Sequence, residues 1–309
     1  MNAVPPSLSA VAALLLVMVG GPLIPGVIGR TKSIATGRRG APVWQLYADL
    51  WKLARRGTVY SATTTWVFRL APVVLVATSL VASALLPLDG HVSLLQFPGD
   101  AVAFAYLLGL GRFVLVLAAL DTGSSFEGMG ASREVTFASL VEPGLFIALA
   151  ALGMIARDFS LSAMLGDSAT RLGIAGSTPS AVMIGISVFA LALADCSRVP
   201  VDDPLTHLEL TMVHEVMVLD HSGPDLALIL YANALKLGIF AAIVGNVLLS
   251  AVRPAGWLGL LVLAASMLVF GIAVGIVESV MARLRLPKVP LYITSGSALA
   301  LFGLILLLR

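Results

Sequence analysis

Long apolar stretches alternate with short polar ones along the whole chain. The apolar stretches lie near residues 7–28, 67–87, 101–120, 135–156, 179–195, 226–250, 256–279 and 290–308. At about 1.5 Å of rise per residue, each approaches or exceeds the roughly 30 Å of hydrocarbon that a spanning helix must cross. The pattern predicts an all-α integral membrane protein of about eight transmembrane helices. It forms one membrane domain over residues 1–309, with no soluble domain. No segment repeats another, which argues against the inverted-repeat transporter architectures.

Two of the polar intervals have a pattern of their own. Within 29–66, Val43, Leu46, Tyr47, Leu50 and Ala54 recur at helical spacing, and Gln45, Asp49, Lys52, Arg55 and Arg56 occupy much of the remaining surface. This predicts an amphipathic helix at the membrane interface, acting as a surface anchor, as a docking platform for a soluble partner or as a cavity wall. The interval 195–225 holds seven of the 17 acidic residues and three of the four histidines, although its flanks are almost uncharged. Asp203 as N-cap and Pro204 at the first helical position predict a helix reaching about Leu219. That helix would carry His207, Thr211, His214 and Val218 on one face, with Glu209 and Glu215 about 120° apart rather than paired. Gly223-Pro224 closes the interval before the next span.

Composition sharpens the class. The chain is 59% hydrophobic and 12% charged, against about 25% charged in a typical soluble protein. The net charge of +2 says little, but its distribution sets an orientation. One set of loops (about 29–66, 121–134, 195–225 and 280–289) carries Arg30, Lys32, Arg38, Arg39, Lys52, Arg55, Arg56, Arg133, Arg198, Arg283, Arg285 and Lys288. The other set carries only Arg157, Arg171, Arg253 and Arg309. The positive-inside rule then predicts a multi-pass protein of the cell's inner membrane with both termini outside the cytoplasm. Met1–Ala10 lacks the basic start of a signal peptide, so the first apolar stretch reads as a retained span. The single cysteine, Cys196, leaves no internal disulfide, no cysteine-ligated cluster and no cysteine-rich zinc site within this chain. There is no Gly-rich nucleotide loop, no catalytic triad and no pattern for binding nucleic acid.

The remaining chemistry is intramembrane charge, which is costly unless it faces the bundle interior and is paired. Glu134 and Glu142 fall at the start and in the first third of the fourth span. They are about 12 Å apart along the axis and about 80° apart around it, as two stations on one side. Carboxyl groups held in such a setting can take up and release protons near neutral pH. The alternative for Glu134 is an interfacial ion pair with Arg133 or another base. Arg112, Lys236 and Glu278 also lie within spans, and Arg112 reads as a structural ion-pair partner. Glu209 and Glu215 are candidates for the intake of a proton path, or else part of a solvated loop helix. His207 and His214 would need further ligands from elsewhere to hold a metal, and none is assigned. Asp89, Asp100, Asp158 and Asp167 read as solvated charges of the outer loops.

Two segments resemble a known family. GRTKSIATGRRGAPVWQLYADLWKL resembles the first inner loop of the respiratory complex I subunit 1 family, through Gly37-Arg38, Gly40-Ala41-Pro42, Gln45, Asp49, Lys52 and Leu53. Arg198, Pro200, Asp202 and Glu209 resemble that family's acidic loop between spans five and six. Within the superfamily, SREVTFASLVEP (Ser132–Pro143) and SRVPVDDPLTHLELTMVHE (Ser197–Glu215) are most similar to the membrane subunit of group 4 nickel–iron hydrogenases, the formate hydrogenlyase type. The resemblance covers nearly the whole chain. It implies a non-catalytic, membrane-anchoring and energy-coupling subunit of a hydrogenase complex. The partners it implies are the hydrogenase large and small subunits, an iron–sulfur protein, antiporter-like membrane subunits and the lipid bilayer. The nickel–iron centre and iron–sulfur clusters would sit in partner chains, with no cofactor in this one. By motif position it points to Glu134, Glu142, Asp202, Glu209, Glu215, Asp195 and Lys236 for a proton path. Arg38, Arg39, Gln45, Asp49, Lys52 and Arg198 are then candidates for partner docking. Asp195 departs from the glutamate usual in the related subunits, which shortens that carboxylate by one methylene. The alternatives are a quinone-binding subunit of a complex I-type NADH dehydrogenase and a stand-alone cation antiporter. The hydrogenase resemblance implies no quinone turnover.

Overall fold

In the computed structural model each of the eight apolar stretches is helical. The structure describes residues 8–88, 93–167, 178–202, 212–248 and 257–308. α1 (Leu8–Gly20) passes through a 3-10 turn, Gly21–Leu23, into α2 (Ile24–Ala35), and the two make the first span. α3 (Gln45–Ala54) is the interfacial helix. The other spans are α4 (Trp66–Leu85), α5 (Asp100–Asp121), α6 (Ser125–Ala156), α7 (Thr178–Asp195), α9 (Gly223–Leu248), α10 (Trp257–Val280) and α11 (Val289–Leu307). Between α7 and α9 lies the short α8 (His214–Met217). Among the described residues seven helical segments have the length and hydropathy to cross a membrane, α7 is a shorter apolar helix, and there is no strand. The protein is an all-α integral membrane protein.

Two spans outrun their apolar pattern. Residues 29–35 and 125–134, expected in loops, continue α2 and α6. Nothing in either stretch breaks a helix, and tertiary contacts cover the polar first turns of α6. Glu127 is fully buried and accepts the backbone N–H of Asp220 at 3.1 Å. Glu134 is therefore about two and a half turns inside α6, not at its start. The helix expected from Pro204 to Leu219 is corrected in its described part. Met212 and Val213 are not helical, and only His214–Met217 forms a turn. Residues 203–211, with Asp203, His207, Glu209 and Thr211, lie outside the described residues. Gly223 opens α9 rather than closing the loop.

α9 occupies the centre, 72% buried over its apolar window, and touches α3, α4, α7 and α10. Around it pack the pairs α4–α5, α6–α11, α7–α11 and α2–α10. Small residues allow the close approaches, as expected where helices cannot gain from excluding water. At Gly111 a Cβ would meet Thr78 Oγ1 at 2.7 Å, so α4 and α5 nearly touch beside Arg112. α7 ends at Asp195 because Ser197 takes a left-handed φ of 50° and the N–H of Arg198 turns back to the Leu193 carbonyl at 2.8 Å. That reversal sets the Asp195 carboxylate at the tip of α7, facing inward.

α3 has the expected two faces. Leu46 lines an internal cavity, and the Tyr47 hydroxyl donates to the Val19 carbonyl. Trp44 and Trp51, seven residues apart and so on one face, stay 65% and 61% exposed, with the Arg55 guanidinium 4.2 Å over the Trp51 ring. Such an aromatic and basic face suits a lipid–water interface. Backbone contact seats the helix, since a Cβ on Gly26 would lie 1.9 Å from the Val43 carbonyl oxygen. Gly26→Ala is therefore expected to push α3 off the bundle at a cost of roughly 1–3 kcal/mol. Protease cleavage of the 36–44 segment in native membranes should rise several-fold. Gly29→Ala, with nothing within 4 Å, should leave it unchanged.

Side-chain contacts also tie the loops on each side. On the basic side Thr65 N donates to Asp121 at 2.6 Å and the Tyr60 hydroxyl to Asp225 at 2.8 Å. On the opposite side Asp100 corrects the expectation of a solvated charge. It is fully buried and accepts the Leu161 N–H at 2.6 Å and the Ser160 hydroxyl at 3.2 Å, pinning the loop after α6 to the start of α5. Asp158 is exposed as expected, while Asp89 and the Asp167 side chain lie outside the described residues.

Candidate functional site

α5, α6, α7 and α9 bring five charged side chains to one place inside the bundle. Arg112, 8% exposed, is the hub. Its Nη1 donates to Glu142 Oε1 at 2.6 Å, its Nε lies 3.3 Å from Glu134 Oε1, and its Nη2 donates to Asp195 Oδ1. Asp195 also pairs with Lys236, whose Nζ is 2.7 Å from Oδ2 and donates to the Asp195 carbonyl at 2.8 Å. From the basic-side ends of their helices, Glu134 and Arg112 lie roughly 13 Å deep and Lys236 roughly 20 Å deep. Asp195, the last residue of α7, meets them there, so the cluster lies inside the bundle beside the basic-side end of α7. Three carboxylates face two cations, so the fully ionised cluster carries one net negative charge. Uncompensated charge buried inside a bundle is costly, and gain or loss of one proton is the simplest way to relieve or restore it.

One void touches the cluster and a second lies beside the first. The inner one, about 40 Å³, is lined by Arg112, Glu134, Asp195, Lys236 and Thr78. The second, about 260 Å³, lies on the basic side and is lined by Lys32, Arg198, Glu215, Glu278 and Leu46. Cys196, Ser197, His214 and Asn233 line both. Glu278, at the end of α10, holds Lys32 at 2.9 Å and Arg198 at 3.6 Å. Asp202 pairs with Arg283 at 2.9 Å and accepts the backbone N–H groups of Val213 at 3.0 Å and His214 at 3.3 Å. This carboxylate fixes the start of α8 and hence the His214 ring, whose Nε2 is 2.6 Å from Asn233 Nδ2. Burial lowers the His214 pKa, with nearby Glu215 opposing, and burial pushes the Cys196 thiol up to about 12.

The structure therefore gathers Glu134, Glu142, Asp195 and Lys236 and keeps Asp202 and Glu215 one layer away, while Glu209 lies outside the described residues. The suggested Glu134–Arg133 pair is not formed. Arg133 turns to the Met212 carbonyl at 2.9 Å, and Arg112 is the partner of Glu134. Of the docking candidates, Arg38, Arg39 and Lys52 are exposed. Gln45 donates to Asp49 at 3.0 Å along α3, and Arg198 points inward to Glu278. Sequence reasoning gave Arg112 only a structural role and passed over Asn233. A guanidinium in mid-span with three carboxylates in other spans was the available signal for Arg112. For Asn233 there was none, since a lone amide in an apolar helix carries no partner information.

Comparison with known proteins agrees with this architecture. Residues 8–308 match the family described as NADH dehydrogenase. Formate hydrogenlyase subunit 4 of Escherichia coli (strain K12) is 31% identical over 304 residues, covering 96% of this chain and 97% of that protein. Hydrogenase-4 component C of the same organism is 33% identical over 235 residues, 76% of this chain and 72% of that protein. In fold, the chain is similar to one from the membrane-bound sulfane sulfur reductase, an archaeal respiratory membrane complex. That likeness has a TM-score of 0.78 at 17% identity and covers 97% of this chain and 98% of the other. With the family match spanning almost every residue and a full-length relative above 30% identity, the chain belongs to the NADH dehydrogenase subunit 1-type family of membrane proteins.

Proposed function

We propose that this chain is the membrane-anchoring, energy-coupling subunit of a multisubunit nickel–iron hydrogenase complex of the formate hydrogenlyase type. The observation that carries the reading is the net-anionic cluster around Arg112, buried within the helix bundle against one void that shares four lining residues with a larger void on the basic side. A merely structural bundle gains little from five ionisable groups gathered in its interior. The two relatives named for hydrogenase and formate hydrogenlyase favour this complex over a quinone-reducing dehydrogenase. In this reading the basic loops face the cytoplasm of the cell's inner membrane, and both termini lie outside. The exposed Arg38, Arg39 and Lys52, with Gln45 and Asp49, dock the hydrogenase large and small subunits and an iron–sulfur protein. Those partners hold the nickel–iron centre and the clusters. Electron transfer there drives proton or sodium movement through the carboxylates.

Antiporter-like membrane partners fit one lateral face. The Glu142 side chain is 46% exposed, next to Ser139 on the outward face of α6, where Ser132 and Thr136 are also exposed. A half-open carboxylate on a spanning helix is unfavourable against lipid, and a polar stripe of this kind suits a neighbouring helix.

Mild-detergent isolation of the tagged chain tests the reading, with identification of co-purifying proteins and assay of viologen-linked hydrogen oxidation. The expected result is a nickel–iron large subunit with activity. Flavin- and NADH-linked partners, or bound quinone, would replace it with the dehydrogenase reading. A chain that elutes alone and exchanges cations in liposomes would be an antiporter.

A further inference from the structure

We propose that His214 is the proton-transfer residue between the two cavities, passing single protons from the basic-side cavity to the buried Arg112 cluster. The inference deepens the coupling reading above and rests on it. Four residues line both voids, and their chemistry selects one of them. Ser197 and Asn233 do not titrate. Cys196, pushed up to about 12 by burial, holds its proton throughout the physiological range. An imidazole is the one group of the four able to accept and return a proton, burial favouring the neutral ring of His214 between transfers, and its two nitrogens allow intake at one and release from the other.

The surroundings suit that role. Glu215, the next residue, lines the basic-side cavity, and Asn233 lies one turn of α9 before Lys236, which holds Asp195. With Asn233 Nδ2 facing Nε2 at 2.6 Å, the amide donates and the neutral ring accepts. A proton arriving at Nε2 needs the amide turned over to present its oxygen. Arrival therefore becomes a two-position event instead of a continuous leak. For each transfer one proton enters at Nε2, the Nδ1 proton leaves for a carboxylate of the cluster, and the neutral ring, now the Nε2–H tautomer, turns or exchanges its proton before the next transfer. Asp202, bonded to the His214 backbone, holds the ring in this partition.

The test uses the assembled complex in proteoliposomes, measuring proton movement against hydrogen turnover. His214→Gln keeps an amide beside Asn233 but does not titrate. It should keep assembly and viologen-linked activity while proton movement per hydrogen falls at least about 10-fold. In His214→Ala, added imidazole should restore movement and pyrazole, a ring of the same shape that hardly accepts a proton at neutral pH, should not. Unchanged proton movement in His214→Gln, or equal rescue by both rings, overturns the proposal. Should the alanine variant fail to assemble, the glutamine variant decides alone. Glu134→Gln, run in parallel, separates the two ideas. Coupling lost with Glu134→Gln but kept with His214→Gln sinks the His214 role and leaves the coupling reading standing. Coupling kept in both, or absent from the native complex, sinks both.

Discussion

Replacing Arg112 with leucine is expected to remove roughly 3–5 kcal/mol of stability, the range for a buried ion pair that loses one partner. One guanidinium satisfies Glu134, Glu142 and Asp195, and its loss leaves Lys236 as the cluster's one cation. The Glu142 contribution is the smallest, because that side chain is 46% exposed. Glu134 and Asp195 have no comparable outlet. Arg112→Lys should recover only part of the loss, since a single ammonium cannot span three carboxylates on two helices. Adding Glu134→Gln to Arg112→Leu should recover more, as residues in one network couple by about 0.5–3 kcal/mol. Thermal unfolding in detergent and the amount of chain accumulating in membranes measure the series. Equal stability of Arg112→Leu and the native chain would mean that the cluster does not hold these helices together.

Most of the bundle could be read from the sequence, because a spanning helix announces itself by length and hydropathy alone. All eight stretches and the interfacial helix at Gln45–Ala54 lie where the pattern puts them. Helix ends were less legible. Residues 125–134 carry Glu127, Arg133 and Glu134, and polarity there suggests a loop. They are helical because Asp220, Met212 and Arg112 supply partners from remote parts of the chain. The site followed the same division. Glu134, Glu142, Asp195 and Lys236 stood out singly as charges in apolar surroundings, but their convergence on Arg112 depends on the rotation of four helices, which composition does not fix. Asp100 misled for the opposite reason. A carboxylate beside a predicted loop reads as solvated, while the N–H and hydroxyl that bury it come from Leu161 and Ser160, some sixty positions away.

Glu134→Gln should separate stability from coupling. Glutamine keeps the shape and can still accept from Arg112, which remains paired with Glu142 and Asp195. With one negative charge removed, the cluster becomes neutral when fully ionised. Stability should therefore change by less than about 1 kcal/mol, unlike the Arg112 variant, because no cation is stranded. What disappears is a carboxylate that can be protonated beside the inner void. Proton movement per hydrogen turned over should fall at least about 10-fold, while viologen-linked activity in partner subunits stays near native. Glu142→Gln should act in the same direction at the lateral face, and Glu209→Gln tests the loop residue named with them. Native proton movement in all three variants would make the Arg112 cluster a structural clasp and the chain a passive scaffold. Parallel loss of hydrogenase activity with Glu134→Gln would instead assign the residue to assembly. Only the split between intact electron transfer and lost ion movement fits a carboxylate that works by changing its charge.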